Sequence, residues 1–505
     1  WEKSKLNTGS LQIPMIKILL MLMSLLCADI ALSAAPRKSM LVRIDKVTEQ
    51  QLLKAGIITT DTDQYGSLLS LVRDTALVLL TPTEHQLFIE RGFKATVLAS
   101  DTSEVQLVRR ALFGPAMRLE QPYHTYKSMV LEIDSLRRAY PTLLQSFFIG
   151  KSVRQKDIIA VKISAPSRTR AERPAILFNG CHHADELLGG EICLAIIHTL
   201  VAGYGRIPEI THWLDHLQII VVPVINVDGH DMVTSGEEPR WRKNARDTNH
   251  DGSVTYPGDG IDLNRTYDFN WAHGGSGEVT SERYRGERPF SEPETRALAS
   301  LAQRERFLLS LTYHSQGEVI YYPWNWAGHK APDDRLLTSI AKGLAASIRT
   351  MQGDSTYKAE YGAGLVGQSY PWLYGALGTF DFVVETGKGA SFMPAWEVAG
   401  IVKANLEGMR YILDKAEGPG LDIRTMDAKS GKPVEAQVWF PAIETEEVRR
   451  RTTNPTTGRY YRLFTPGSYK CIVSCTGYEP VVLKDLVIEK SGWRQIELTL
   501  KRANN

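Results

Sequence analysis

Residues 176–186 read Ile-Leu-Phe-Asn-Gly-Cys-His-His-Ala-Asp-Glu, and the helical pattern of Leu187–Val201 follows directly. The apolar run Ile176–Asn179 reads as a buried strand, so the loop rich in histidine and acid falls at the C-terminal end of a strand in a β–α unit. Open α/β sheets hold their ligands at that place. A further histidine, His314, closes another apolar run, 128 residues beyond Glu186. His183, Glu186 and His314 are the residue types of a two-histidine, one-carboxylate zinc site, which leaves a fourth position for water. Such a site usually serves hydrolysis. His-x-x-Glu by itself is only two fixed letters, and among the 12 histidines about one chance match is expected. The surroundings have to carry the assignment.

Outward from this loop, residues 120–416 alternate apolar β-rich runs with helical patterns, which argues for a mostly parallel sheet flanked by helices. The expected strands are Ile176–Asn179, Leu217–Asn226, Phe307–His314 and Thr379–Glu385. The expected helices are Leu187–Val201, Glu292–Arg306, Asp334–Met351 and Ala395–Lys415. Glu417-Gly-Pro-Gly reads as a linker. Beyond it, residues 421–502 hold short strands separated by turns such as Lys429-Ser-Gly-Lys and Thr465-Pro-Gly, the pattern of a small antiparallel β-sandwich. Upstream, residues 38–115 read as a small α/β unit, with strands at 39–45, 76–80 and 94–98 and helices at 49–55 and 83–92. It stands equally as a propeptide that covers the site or as a permanent accessory domain. Residues 15–35 have the form of a secretory signal. Met15 and Lys17 precede an apolar run to Cys27, and the small residues Ala31, Ser33, Ala34 and Ala35 follow. The expectation is therefore export, with no membrane span after signal removal.

Composition is that of a globular protein: 505 residues, 43% hydrophobic, 23% charged, formal net charge +2. Neither the charge nor any Lys/Arg block gives reason to expect a nucleic-acid partner, and a monomer is expected. Of five cysteines, Cys27 falls in the signal run; Cys181, Cys193, Cys471 and Cys475 are too few for a disulfide scaffold and read as free thiols.

The middle block resembles the zinc carboxypeptidases of the pancreatic carboxypeptidase A type. Tyr123-His-Thr-Tyr-Lys, Tyr140-Pro and Ile149-Gly-Lys-Ser-Val look like that family's opening, and five further motifs follow in order. Gly180-Cys-His-His-Ala-Asp-Glu is similar to the loop with the first two zinc ligands, which implies His183 and Glu186; His182 is expected to lie behind the ligands or at the surface. Pro239-Arg-Trp-Arg-Lys-Asn implies that Arg242 polarises the scissile carbonyl, a task for a guanidinium aimed at the developing oxyanion. Gly260-Ile-Asp-Leu-Asn-Arg, the most specific string in the chain, implies that Asn264 and Arg265 grip the substrate's terminal carboxylate. Leu311-Thr-Tyr-His-Ser supplies the third ligand, His314. Phe380-Asp-Phe-Val-Val-Glu-Thr-Gly ends in Glu385, the implied general base, with Asp381 a competing acid outside the aligned position.

Some positions depart from the family. The tyrosine that caps the bound C-terminal residue falls by spacing on Ala363; Tyr361 takes that role if two residues are inserted, with Tyr374 as a further candidate. The pocket floor falls at Tyr370, whose neutral ring favours a neutral side chain. Asp185 stands where pancreatic enzymes have arginine. His314-Ser-Gln-Gly-Glu-Val-Ile-Tyr is similar instead to bacterial γ-D-glutamyl-diamino-acid peptidases, which makes a cell-wall peptide the alternative substrate to an ordinary peptide with a free C-terminal carboxylate. An inactive peptide-binding homologue is the reading outside enzymes. Asp247, Asn249 and Asp251, with Gly252 and the late Asp259, resemble the start of a calcium loop. The C-terminal block resembles the transthyretin-like sandwich of regulatory carboxypeptidases.

Overall fold

An eight-stranded sheet organises the middle of the chain, and its centre is apolar on both faces. The structure is a computed structural model and describes residues 40–48, 51, 68–72, 75–80, 82–99, 123–166, 172–255, 258–362, 366–388, 393 and 395–503. The signal run at 15–35, all of the helix expected at 49–55 except Gln51, and position 363 lie outside the described residues.

The chain divides into two compact units, Trp1–Leu119 with Gly389–Pro394, and Glu120–Lys388 with Ala395–Asn505. In the first, strands β1 (Met40–Asp45), β2 (Leu68–Val72) and β3 (Thr75–Leu80), helix α1 (Pro82–Glu90) and strand β4 (Lys94–Ala99) follow in order. The strands form one antiparallel sheet in the order β2-β3-β1-β4. Its core is Val42, Ile44, Val47, Ala76, Leu80 and Phe88. Strand β2 adds to the three strands expected there.

The second unit begins with helix α2 (Tyr126–Ala139), whose first turn is closed by Thr125 Oγ1 accepting from the Ser128 N–H at 3.1 Å. Strands β5 (Leu144–Lys151), β6 (Asp157–Ile163) and β7 (Ala175–Gly180) lead to helices α3 (Leu188–Gly203) and α4 (Pro208–His216). Next come β8 (Gln218–Val222), α5 (Val227–Thr234), α6 (Pro293–Glu305), β9 (Leu309–His314) and β10 (Val319–Tyr322). A two-stranded ribbon of β11 (Asn325–Trp326) and β12 (His329–Lys330) precedes α7 (Asp334–Ser347), β13 (Lys358–Tyr361), α8 (Ser369–Trp372), β14 (Phe380–Glu385) and α9 (Ala395–Lys415).

The sheet order is β13-β10-β14-β9-β7-β8-β6-β5. The run β14-β9-β7-β8 is parallel, as is the edge pair β10–β13, whereas β10–β14, β8–β6 and β6–β5 are antiparallel. Every residue of β7, β9 and β14 is buried. That explains why these strands read as unbroken apolar runs rather than alternating ones. Two expected boundaries move by four residues, the others by two or fewer. The strand read as Leu217–Asn226 stops at Val222, because Pro223 has no N–H for the ladder, and Asn226 then caps α5 by accepting from the Gly229 N–H at 3.1 Å. The helix read to Met351 stops at Ser347, where the chain turns extended and Arg349 bridges to Thr356.

Strands β15 (Gly420–Asp427) through β21 (Trp493–Leu500) make the C-terminal sandwich. Between them lie β16 (Gln437–Trp439), β17 (Arg451–Thr452), β18 (Arg459–Leu463), β19 (Gly467–Ser474) and β20 (Val481–Ile488). One sheet runs β18-β15-β21 and the other β17-β16-β19-β20. The expectation of an antiparallel sandwich holds except for β15–β21, which pair in parallel because the chain visits the second sheet before returning beside β15. Leu421, Ile423, Val438, Phe440, Cys471 and Val473 fill its core. Cys181, Cys193, Cys471 and Cys475 are all free thiols.

Candidate metal centre and active site

Three neighbouring strands of the parallel run end together. Glu385, the last residue of β14, is in register with His314, the last residue of β9, and Tyr313 is in register with Gly180 at the end of β7. The loop after β7 then turns back sharply. A Cβ on Gly180 would lie 2.7 Å from the carbonyl carbon of Gly189 in the first turn of α3, so glycine alone permits this approach. Cys181 takes a left-handed φ of 54°. The turn delivers His183 and Glu186 beside His314.

The three side chains converge. His183 Nδ1 is 2.6 Å from Glu186 Oε1, His314 Nδ1 is 2.7 Å from Glu186 Oε2, and the two Nδ1 atoms are 3.2 Å apart. All three residues are buried, and among the described residues they form the one group of three or more metal-type ligands within 4.8 Å. Two buried imidazole nitrogens turned toward each other across a carboxylate fit a divalent cation with nitrogen and oxygen preference, such as zinc. The electrostatics agree. Burial and Arg242 push the His183 imidazole down, but the carboxylates of Glu186 and Asp262 outweigh them and lift it to about 9. Carboxylates lie on both sides of this imidazole, Glu186 at Nδ1 and Asp262 at Nε2, and both favour positive charge there.

Asp262 is the residue that sequence reasoning missed. It is fully buried; Oδ1 lies 3.2 Å from His183 Nε2, and Oδ2 accepts from Arg242 Nη2 at 3.1 Å. It orients the imidazole so that Nδ1 faces the other ligands, as a carboxylate behind a metal-binding histidine does. Its signal was present, two residues before Asn264 in the most specific string of the chain. Arg242 also lies 3.5 Å from Glu186 Oε1, and its backbone carbonyl accepts from the Ala184 N–H at 3.0 Å, so its segment is stitched to the ligand loop.

Asn264 and Arg265 sit in a single 3-10 turn whose start is closed by Asp262 Oδ1 accepting from the Asn264 N–H at 2.9 Å. Asn264 reaches His314 Nε2 at 3.2 Å and accepts from the Ser369 N–H at 3.0 Å. It therefore joins the ligand cluster to α8. Arg265 is 2% exposed and donates to the Asn264 carbonyl. Glu385 is buried; burial and the neighbouring Glu186 raise its carboxyl to about 8, against the opposing pull of His183, Arg242 and Arg265. Thr386 fixes this strand end to β9 by donating from both N–H and Oγ1 to the His314 carbonyl.

The other expected residues divide. His182 is fully buried, not at the surface. It stacks on His314 at 5.5 Å and bonds Tyr267 Oη through Nε2 at 2.8 Å, behind the ligands. Tyr370 is buried on α8, next to the Ser369 that Asn264 holds, and Gly362 makes room for its ring. Tyr361 is not brought to this cluster. It lies on edge strand β13, where its hydroxyl donates to Asp334 and accepts from Lys330, both at 2.8 Å. Tyr374 is bound to Asp333 instead. Asp381 is a buried acid near the N-terminal end of β14 that accepts from Thr312 Oγ1, at the opposite end of the strand from Glu385. Asp185 is largely buried, and burial lifts it to about 7.

The calcium expectation is not supported. Asp247 accepts from the N–H groups of His250 and Gly252, Asp251 from Ser253, and Asp259 from Thr248 and Thr255. Each carboxylate closes a turn of its own loop, which is the ordinary use of aspartate in turns.

Residues 129–408 match the zinc carboxypeptidase family (Peptidase_M14), and the chain belongs to it. It thereby carries the scaffold of a metallocarboxypeptidase hydrolase. Carboxypeptidase A4 of Mus musculus is 28% identical over 302 residues, covering 58% of this chain and 70% of the relative. Carboxypeptidase D of Homo sapiens is 24% identical over 415 residues, 78% of this chain but only 28% of that protein's length. Among solved structures, carboxypeptidase A from Helicoverpa armigera superposes with a TM-score of 0.56 at 20% identity, covering 75% of this chain and 98% of that one, which speaks to the fold.

Proposed function

We propose that this chain is an exported zinc-dependent exopeptidase that hydrolyses the C-terminal peptide bond of its substrate. The observation that carries the reading is the register of β9 and β14. It sets a buried carboxylate, Glu385, beside a histidine of a three-ligand cluster at the open end of a parallel sheet. His183, Glu186 and His314 would hold the zinc, which when bound supplies Lewis acidity and lowers the pKa of water.

The remaining work falls to the protein. Glu385 takes the proton of the attacking water and returns it to the leaving nitrogen, a role for a carboxylate raised toward neutral pH. Arg242, oriented by Asp262, donates to the carbonyl oxygen as negative charge develops there. Asn264 and Arg265 receive the terminal carboxylate, and Tyr370 closes the side-chain pocket with a neutral surface. Such a floor favours neutral C-terminal residues over lysine or arginine. The lysine-led apolar run before residue 35 supports export.

The test is a peptide library with every C-terminal residue, read by mass spectrometry, run beside a murein tetrapeptide and with Glu385→Gln as control. Release of single C-terminal residues from ordinary peptides upholds the proposal. Cleavage of the murein peptide alone replaces the substrate class. Full turnover by Glu385→Gln overturns the mechanism.

A further inference from the structure

The C-terminal sandwich and the catalytic domain meet through buried charge. Arg462 donates to both oxygens of Asp333 at 2.9 and 3.1 Å and to Glu444 at 2.7 Å; Arg451 reaches Asp333 at 3.4 Å. Asp333 stands just before α7, and the other three belong to the sandwich. Tyr374 Oη donates to Asp333 Oδ2 at 2.8 Å and accepts from the Asp333 N–H at 3.0 Å. The Arg451 guanidinium lies over the Tyr374 ring at 5.2 Å. The sandwich thus grips the π-helical turn Leu373–Leu377, which continues directly from the Tyr370 helix.

A second grip lies two residues before Arg451. The Arg449 N–H donates to the Gly375 carbonyl at 2.8 Å, and its guanidinium donates to Asp268 Oδ2 at 2.7 Å. Asp268 is three residues beyond Arg265. The two segments so clamped are already joined to each other. Tyr267 N–H donates to the Gly367 carbonyl, Gly367 N–H to the Phe269 carbonyl, and Ser369 N–H to Asn264 Oδ1. Phe269 packs on Gly375 so closely that a Cβ there would come within 2.2 Å of the ring.

From this we infer that the sandwich is a positioning element for the substrate pocket, with Arg449 as a positioning residue. It fixes the spacing between the turn that carries Asn264 and Arg265 and the helix that carries Tyr370. The inference rests on the exopeptidase reading for its kinetic consequence, but not for its structural one.

Arg449→Ala removes the bond to Asp268 and keeps the backbone bond to Gly375. The expected result is a KM for a cleavable peptide raised roughly two- to fivefold, the range of an exposed ion pair, with kcat and metal content unchanged. Asp268→Ala, which keeps the 3.2 Å bond from Arg449 to the Asp268 carbonyl, should give an equal or smaller shift, and the double variant no more than Arg449→Ala alone. Amide hydrogen exchange in 264–269 and 366–377 should quicken in each variant. An unchanged KM in an active Arg449→Ala protein, additive effects, or unchanged exchange overturns the inference. Absence of C-terminal release by the unaltered protein overturns the exopeptidase reading instead, and the exchange measurement still decides the clamp.

Discussion

Two clusters of buried charge lie in the same compact unit, and they are built on opposite plans. At the domain junction, two guanidiniums, Arg451 and Arg462, meet two carboxylates, Asp333 and Glu444, and all four residues are buried. The guanidinium planes lie over the rings of Tyr374, Phe440 and Phe464. At the strand ends, the carboxylates of Glu186, Asp262 and Glu385 gather around Arg242 and Arg265, and two imidazoles point their nitrogens at one another. The first cluster is closed in charge. The second leaves two imidazole nitrogens and a carboxylate converging on one point, an arrangement that a bound cation would complete. Burial alone does not separate structure from function; the balance of what is buried does.

The comparison breaks most visibly at Glu385. Glu385→Gln should lower kcat by about a hundredfold or more while stoichiometric zinc remains, as checked by metal analysis beside turnover. Treating the protein with a chelator should abolish activity and lower the melting temperature, and added zinc should restore both. Retained activity after full removal of metal would contradict the role of the open cluster.

The closed cluster should fail differently. Arg462→Met leaves Asp333 and Glu444 buried with one guanidinium between them, and should cost about 3–5 kcal/mol. Pairing it with Glu444→Gln should recover part of that loss, seen in denaturant melts. Zinc affinity should not move. Asp262→Asn should instead act on the metal, weakening zinc binding roughly 10- to 100-fold in a chelator competition.

A smaller effect tests a buried acid that belongs to neither cluster. Burial raises the Asp381 carboxyl from its ordinary 3.8 to about 6, against hydrogen bonds from Ser310 and Thr312. Below 3.8 both folded and unfolded states hold the proton, so burial carries no titration penalty. The penalty grows as pH rises from there and is complete above about 6. Asp381→Asn should therefore stabilise the protein at pH 8 by about 3 kcal/mol and much less at pH 4. The same gain at both pH values would refute the assignment.

The metal cluster was legible in the sequence because its parts sit in short strings at strand ends, each with an apolar run to anchor it. The strands β7, β9 and β14 were readable for the same reason, being buried on both faces. Asp262 was overlooked because an aspartate before a turn reads as a cap, which it also is. Counting back from Glu385 falls on position 363, and the shift to Tyr361 cannot see that β13 is an edge strand on which the Tyr361 hydroxyl bonds Asp334 and Lys330. The acids near Asp247 matched a spacing without its geometry. The junction was beyond reach: Asp333 and Arg462 are 129 residues apart, in a pattern that no local string announces.

The pairing of β9 with β14 acts as a ruler. Side chains alternate across a strand, so sliding β14 by one residue would set Val384 or Thr386 opposite His314 and turn Glu385 to the other face. The hydrogen-bond ladder behind the site thus decides which side chain stands beside His314. Insertions or deletions in β14 should be less tolerated than most substitutions within it, and a search for inactive relatives should look first at that strand's length.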